Sequence, residues 1–327
     1  MRLTKFSAYL ISSIFILHLL TWVLLTRPSL PNFTQIEYNL GNMPKNLELH
    51  VRRLSETYSP RDYTNVKNLN LCADYIKNQF EQFGQSKISE QAYQVNNETY
   101  KNIIAQYGPT TGDPIVIGTH YDAYDKLPGA DDNASGVAGL IEMARLLSKT
   151  TLTQPIILVA YSLEEPPFFR TENMGSFKHA KSLSDQNKNI KLMISLEMIG
   201  YFTDKKDTQS FLFYPLPLFY PNAGNFIGIV DEFYSNHAHK LKINLKPYLD
   251  FPVYTINAPS FIESADFSDH LNYWHFGYPA VMVTDTAFLR NRAYHTKNDT
   301  YDRLNYNKMA QIVYGIYRSI LIEDYLP

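Results

Sequence analysis

Apolar and polar positions change rhythm several times along this chain. Phe6 to Leu25 is an uncharged run preceded by Arg2 and Lys5. Such a run predicts a helix long enough to cross a bilayer. Trp22 suits an interfacial position near its outer end, and Pro28 with Pro31 would stop the helix. The apolar stretch is long for a cleaved signal and lacks a small-residue exit. An uncleaved anchor over residues 1–27 is therefore favoured over a secreted form. Arg2, Lys5 and the terminal amine outweigh Arg27, which places the rest of the chain outside the cytosol, in a periplasmic, lumenal or extracellular space.

Residues 28–42, with prolines, Asn32 and Gly41, read as a linker. From residue 43 the apolar positions fall three and four apart, in "LELHVRRLSE" and "NLNLCADYIKNQFEQFG", which predicts two helices, the second ending at Gly84. Alternation follows in "KISEQAYQV" and "TYKNIIAQY", an antiparallel pair turning at Asn96-Asn97. Short apolar runs then interleave with amphipathic segments. "PIVIGTH", "QPIILVAYSLEE", "IKLMISLEMIG" and "PAVMVTD" read as buried strands, and "ASGVAGLIEMARLLSK" and "GSFKHAKSLS" as helices. "NFIGIVDEFYSNHAHKLK" is predicted helical, "NYNKMAQIVYGIYRSILIE" is the closing helix, and 202–223 is a long aromatic and proline-rich surface loop. This pattern predicts one α/β domain over 43–327. Its core is a central mixed, mostly parallel sheet with helices on both faces, preceded by one transmembrane helix.

Composition narrows the partners. The 327 residues carry 30 Lys and Arg against 32 Asp and Glu with no basic run, so a nucleic-acid partner is not expected. Cys72 is the only cysteine, which excludes an intrachain disulfide, and its setting reads as a helix-face core position.

The chemistry gathers at strand ends, where ligands of α/β sheets collect. His120 and Asp122 follow the first buried strand, Glu164 and Glu165 the second, and Glu197 closes the third. His295 follows the last strand after a short loop, and Asp132 lies between the first strand and its helix. Two histidines and several carboxylates without a thiolate suit Zn²⁺, or alternatively Mn²⁺ or Co²⁺. Five ligand candidates and one bridging carboxylate suit two metals a few ångströms apart, an arrangement used for hydrolysis. Asp122, two residues after His120, could accept the other imidazole N–H.

The segments "GTHYDAYDKLPGADDNASG", "SLEEPPFFRTENMGS", "SLEMIGY", "FSDH" and "YHTKNDT" occur in this order over residues 100–305. The set resembles the co-catalytic di-zinc aminopeptidases, a family that also includes glutaminyl cyclases and glutamate carboxypeptidases. The resemblance implies a zinc exopeptidase fold with two Zn²⁺ per chain. It implies that His120, Asp132 and Glu197 hold one metal, that Asp132, Glu165 and His295 hold the other, and that Asp132 bridges. Glu164 then corresponds to the general base and acid, Asp122 to the carboxylate orienting the first histidine, and Tyr294 to a tyrosine that in some members stabilises the oxyanion. A cis peptide after Asp132 is also implied. The implied reaction is hydrolysis of the N-terminal peptide bond of peptides with a free amine, by a metal-bridged water. The family's aminopeptidases usually have Asp where this chain has Glu197.

Rival readings remain within and outside that chemistry. A glutaminyl cyclase would need one zinc. A glutamate carboxypeptidase would want basic residues, for which Arg170, Arg290 and Arg292 are the candidates. A receptor-like ectodomain would have lost ligands or base. Asp269 and His270 in "FSDH", with His179 and His275, read as structural residues. The sequons at Asn32, Asn97 and Asn298 matter only where exported proteins are glycosylated.

Overall fold

Eight strands follow one another as β1 (Ser86–Val95), β2 (Glu98–Tyr107), β3 (Ile115–His120), β4 (Ile156–Tyr161), β5 (Leu192–Glu197), β6 (Ile227–Glu232), β7 (Val253–Ala258) and β8 (Ala280–Thr284). The helices are α1 (Arg2–Thr26), α2 (Met43–Arg52), α3 (Val66–Phe83), α4 (Gly136–Leu147), α5 (Gly175–Asp185), α6 (His237–Leu245), α7 (His270–His275) and α8 (Tyr306–Ile320). The computed structural model describes residues 2–28, 34–212, 214, 216–258, 262 and 265–322.

All eight strands form one sheet in the order β1-β2-β4-β3-β5-β8-β6-β7. Four neighbouring strands at its centre, β4, β3, β5 and β8, run parallel, so their carboxyl ends share one rim. The β1–β2 hairpin joins antiparallel to β4, and β6 joins antiparallel to β8 with β7 parallel outside it. The central strands are almost wholly buried because helices cover both sides. On one side α2, α3, α4, α6 and α8 pack into a core with Ile115, Ile117, Ile194, Leu196, Val281 and Val283. On the other, α5 and α7 pack over Val116, Val159, Tyr161 and Met193. Each such aliphatic side chain removed from water contributes about 1.5–3 kcal/mol. Gly118 in β3 leaves room for the Tyr161 ring, since a Cβ there would come within 2.3 Å of it.

The segment 225–242 departs from the expected single helix. Its first half is β6, and only His237–Leu245 is helical. Ile227, Ile229 and Val230 carry a spacing that serves either structure, and the antiparallel partners offered by Val283 and Met282 decide for the strand. The 202–223 stretch is mainly loop, with a short helical turn at Leu216–Leu218. Within 28–42, residues 34–42 lie on the domain: Ile36 N–H donates to the Pro247 carbonyl at 2.9 Å, and Tyr38 stacks on Tyr314. Pro31 and the Asn32 sequon lie outside the described residues.

Candidate metal centre

The parallel order β4-β3-β5-β8 brings the chemistry of four distant segments to one rim. His120 ends β3, Glu197 ends β5, Glu164 and Glu165 follow β4, and Tyr294 and His295 follow β8. Asp132 enters from the loop before α4, and all eight expected site residues meet within one cluster.

That loop has an unusual shape, held from several sides. The Asp132–Asn133 peptide is cis, as are Ser59–Pro60 and Pro166–Pro167. Asp299 accepts the N–H groups of Asp131 and Asp132 at 3.0–3.1 Å. Gly129 sits at φ 55°, and a Cβ there would come within 2.1 Å of the Asp132 carbonyl. Beneath it lies Arg61, fully buried, whose guanidinium donates to the carbonyls of Leu54, Tyr121, Pro128, Gly129 and Asp132. Asn133 donates to Thr119 Oγ1 at 2.9 Å, to the Leu196 carbonyl at 2.8 Å and to Glu197 Oε2 at 3.1 Å, tying the loop to β3 and β5.

The two oxygens of Asp132 face two different histidines. Oδ1 is 3.5 Å from His120 Nε2, and Oδ2 is 3.1 Å from His295 Nε2. Glu197 Oε2 lies 3.3 Å from His120 Nε2, and Glu165 Oε2 lies 3.2 Å from His295 Nε2. Glu164 Oε2 is 3.8 Å from His120 Nε2. None of these approaches has hydrogen-bond alignment: both ring nitrogens of His120, Nε2 of His295 and Oε1 of Glu165 have no hydrogen-bond partner although they are buried. Orphaned buried polar atoms of this kind call for an explanation. Three sets offer ligand atoms within 4.8 Å of one another: His120, Asp132 and Glu197; Asp132, Glu165 and His295; and His120, Glu164 and Glu165. The orphaned atoms and the all-nitrogen-and-oxygen donor set both fit a pair of divalent cations of the zinc type.

The electrostatics agree. Burial pushes Glu164 well above the ordinary carboxyl range, with Glu197 and Glu165 adding repulsion against the relief from His120. Burial and the charge of Asp132 raise Glu165 to about 8. Burial opposes charging His295, yet contact with Asp132 and Glu165 still raises it to about 10. Burial thus disfavours the full negative charge of these carboxylates unless positive charge sits among them, which a dication would supply.

Asp122 differs in part from its expected partner. Its Oδ1 is 3.4 Å from His120 Nδ1 but out of hydrogen-bond alignment. Its oxygens instead accept the backbone N–H groups of Glu164 and Glu165, at 3.2 and 3.0 Å. Ser268 donates to Glu197 Oε2 at 2.7 Å. Asp269, read as structural, is fully buried among the same charges, and burial raises it to about 7. His270 Nε2 donates to the Ala265 carbonyl at 2.8 Å, and His179 Nδ1 meets the Tyr273 hydroxyl at 2.6 Å. Sequence reasoning missed Tyr124, Ser268 and Arg61, none of which stands at a strand end. Tyr124 was within reach, since it lies two residues past Asp122 in the same motif.

A cavity of roughly 430 Å³ opens beside the cluster. Asp132, Glu164, Glu165, Glu197, Tyr294 and His295 line one end, and Phe211, Tyr220, Phe226, Val230, Tyr254, Ile256 and Met282 line the rest. No Lys or Arg lines it among the described residues. Arg170 pairs with Asp266, Arg290 is buried against Gln209 and the Phe226 carbonyl, and Arg292 reaches Ser210.

The chain is 48% identical over 282 residues to the uncharacterized protein YfbL of Escherichia coli, covering 84% of this chain and 86% of that one. It is 27% identical to the probable aminopeptidase YDR415C of Saccharomyces cerevisiae, covering 66% of this chain and 56% of the yeast protein. Among solved structures, Legionella pneumophila LapA superposes with a TM-score of 0.67 at 23% identity, over 90% of this chain and 79% of LapA. Porphyromonas gingivalis glutaminyl cyclase superposes with 0.63 at 18% identity, over 85% and 98%. These two share its fold, a mixed α/β sheet flanked by helices. The profile of peptidase family M28 matches residues 102–319, and this chain belongs to that family.

Proposed function

We propose that this chain is a di-zinc exopeptidase, and specifically an aminopeptidase that removes bulky apolar N-terminal residues. The observation that carries the reading is Asp132, whose two oxygens face His120 and His295 from between two ligand sets. His120, Asp132 and Glu197 would hold one zinc, and Asp132, Glu165 and His295 the other. Bound zinc would supply an acidified water and a polarised scissile carbonyl.

The chain's own groups do the rest. Glu164 also comes within ligand distance of His120 and Glu165, but the two sets that share Asp132 leave it free, so its carboxylate takes the proton of the attacking water and returns it to the leaving amine. Asp122 fixes its position by holding the backbone N–H. Tyr294 stands over His295 with its ring stacked at 3.8 Å and lines the cavity, where its hydroxyl can donate to the developing oxyanion. The carboxylates attract a free α-amine, and the apolar walls accept its side chain. The cavity lies in the size range of ligand pockets, about 300–1,000 Å³. The absence of Lys and Arg from its described lining argues against a carboxypeptidase. The Glu197 and His120 pair argues for two metals and against a cyclase. The helix α1, whose window Tyr9–Thr26 has a mean hydropathy of 1.9, anchors the enzyme in the membrane with the catalytic domain extracytoplasmic.

The test is a panel of aminoacyl anilides, an N-terminal glutaminyl substrate and a C-terminal glutamate substrate, run with zinc, manganese or cobalt. Metal content is measured alongside, with Glu164→Gln as control. Release of Leu or Phe, with two metals bound and turnover down about 10²–10⁴-fold in Glu164→Gln, supports the reading. Cyclisation of the glutaminyl substrate, cleavage of the glutamate substrate or a metal-free protein sinks it.

A further inference from the structure

The end of α1 is locked into the folded domain. Thr26 is buried, and its carbonyl accepts from the Thr255 hydroxyl at 2.6 Å and from Lys242 Nζ at 3.4 Å. The Arg27 carbonyl accepts from Lys242 and faces His239 Nδ1 at 2.9 Å, while Arg27 donates to the Phe233 carbonyl at 3.4 Å. A helix leaves its last carbonyls without internal partners. Here a buried ammonium and a buried hydroxyl of the catalytic domain take them.

The receiving strand is also a wall of the cavity. Tyr254 and Ile256 of β7 line it, and Thr255 between them holds Thr26. Tyr220, from the loop that covers the cavity, donates its hydroxyl to the Thr255 carbonyl at 2.7 Å. Trp22 precedes Thr26 by one turn, about 6 Å along the helix axis. The domain surface next to Thr26 is thereby held at the depth where a spanning helix leaves the hydrocarbon. Two large apolar side chains stand exposed within two residues of groups that hold this junction: Tyr234, one residue past Phe233 and 92% exposed, and Leu218, two residues before Tyr220 and 57% exposed. Amphipathic aromatic rings favour the headgroup level of a bilayer.

We propose that this face of the catalytic domain rests on the lipid surface, with Tyr234 and Leu218 in the headgroup layer and the substrate cavity opening at the boundary between bilayer and water. The proposal rests on α1 being an anchor. It adds a substrate preference to the peptidase reading: chains whose apolar N-termini partition into the interface reach the cavity without crossing bulk water.

The full-length chain in phosphatidylcholine nanodiscs tests this. Single cysteines are placed by Leu17→Cys, Tyr234→Cys, Leu218→Cys and Leu71→Cys, each carrying a nitroxide. Native Cys72 is fully buried with its thiol pushed up to about 12, so it stays unlabelled. Leu71 is exposed on α3, which packs at the opposite edge of the sheet against β1 and β2. Collision with oxygen is compared with collision with a water-soluble nickel chelate. The expected result is preference for oxygen at 17, 234 and 218, and for nickel at 71. Labels at 234 and 218 that read like 71, with 17 in lipid, overturn the resting surface while the anchor stands. A label at 17 that reads water overturns the anchor and the proposal with it. Low collision with both reagents at 234 and 218 means that a second copy covers the face, and also overturns it.

Discussion

Tyr124 lies flat against His295, with ring centroids 4.1 Å apart and planes within 5°. Tyr294 covers the opposite face at 3.8 Å and 14°, so the imidazole is held between two phenol rings. His295 has a positive φ of 52°, which a non-glycine residue adopts only where its surroundings hold it. Removing one ring frees the imidazole to turn away from Asp132 and Glu165. Tyr124→Ala should weaken metal binding at the Asp132, Glu165 and His295 set about tenfold, and Tyr124→Phe should restore it. Competition with a chromophoric chelator measures both. Equal affinity in Tyr124→Ala and the parent would refute the clamp.

Asp122 acts on the backbone of its neighbours across the sheet. With its carboxylate gone, the N–H groups of Glu164 and Glu165 lose buried acceptors, and both side chains lose their reference point. Asp122→Ala is expected to lower metal affinity about 10–100-fold and to reduce turnover further, and Asp122→Asn to fall between. Chelator competition and steady-state kinetics separate the two effects.

Glu197 presents the third test. Ser268 and Asn133 both donate to Oε2, the oxygen that faces His120 Nε2, so they hold the carboxylate in place beside that histidine. Ser268→Ala should cost about tenfold in affinity at that site, seen as a second equivalent that binds later in a metal titration. Glu197→Asp should bind more weakly too, since its shorter side chain retracts from Ser268. Tighter binding in Glu197→Asp would show that the extra methylene is not matched to this pocket.

The fourth concerns acid stability away from the centre. His179 is buried against the Tyr273 hydroxyl, and burial, assisted by Lys188, lowers it to about 4. Its native form refuses a proton that the unfolded chain accepts below its ordinary pKa near 6.5. Stability from this residue is present above about 6.5 and is lost as the pH falls toward 4. The stability difference between the parent and His179→Gln should therefore shrink by about 2 kcal/mol from about pH 7 to about pH 5. Denaturant unfolding of the two proteins side by side reads it, and a constant difference would refute it.

What the sequence revealed and what it hid follow from distance along the chain. His120, Glu164, Glu165 and Glu197 were legible because each closes a short apolar run, and the parallel order of β4, β3 and β5 then guarantees their meeting. His295 needed only a loop after β8. β6 was hidden because Ile227, Ile229 and Val230 satisfy a helical spacing until a strand partner is supplied. β7 was hidden among prolines and aromatics, where its Val253–Ala258 alternation is too short to stand out. Ser268 lies in the "FSDH" segment, but its contact with Glu197, like the reach of Arg61 across 71 residues to the Asp132 carbonyl, shows only in the folded packing. Asp122 was legible as a site residue but not in its main partner, since backbone N–H groups leave no mark on a sequence.

Arg61 braces the metal-centre loop from within the core. Its guanidinium is a permanent cation, built in with the chain, that gathers five carbonyls around the loop bearing Asp132. The loop thus draws its shape from groups the chain itself carries. A cation entering the cluster would meet ligands whose backbone is already braced from beneath.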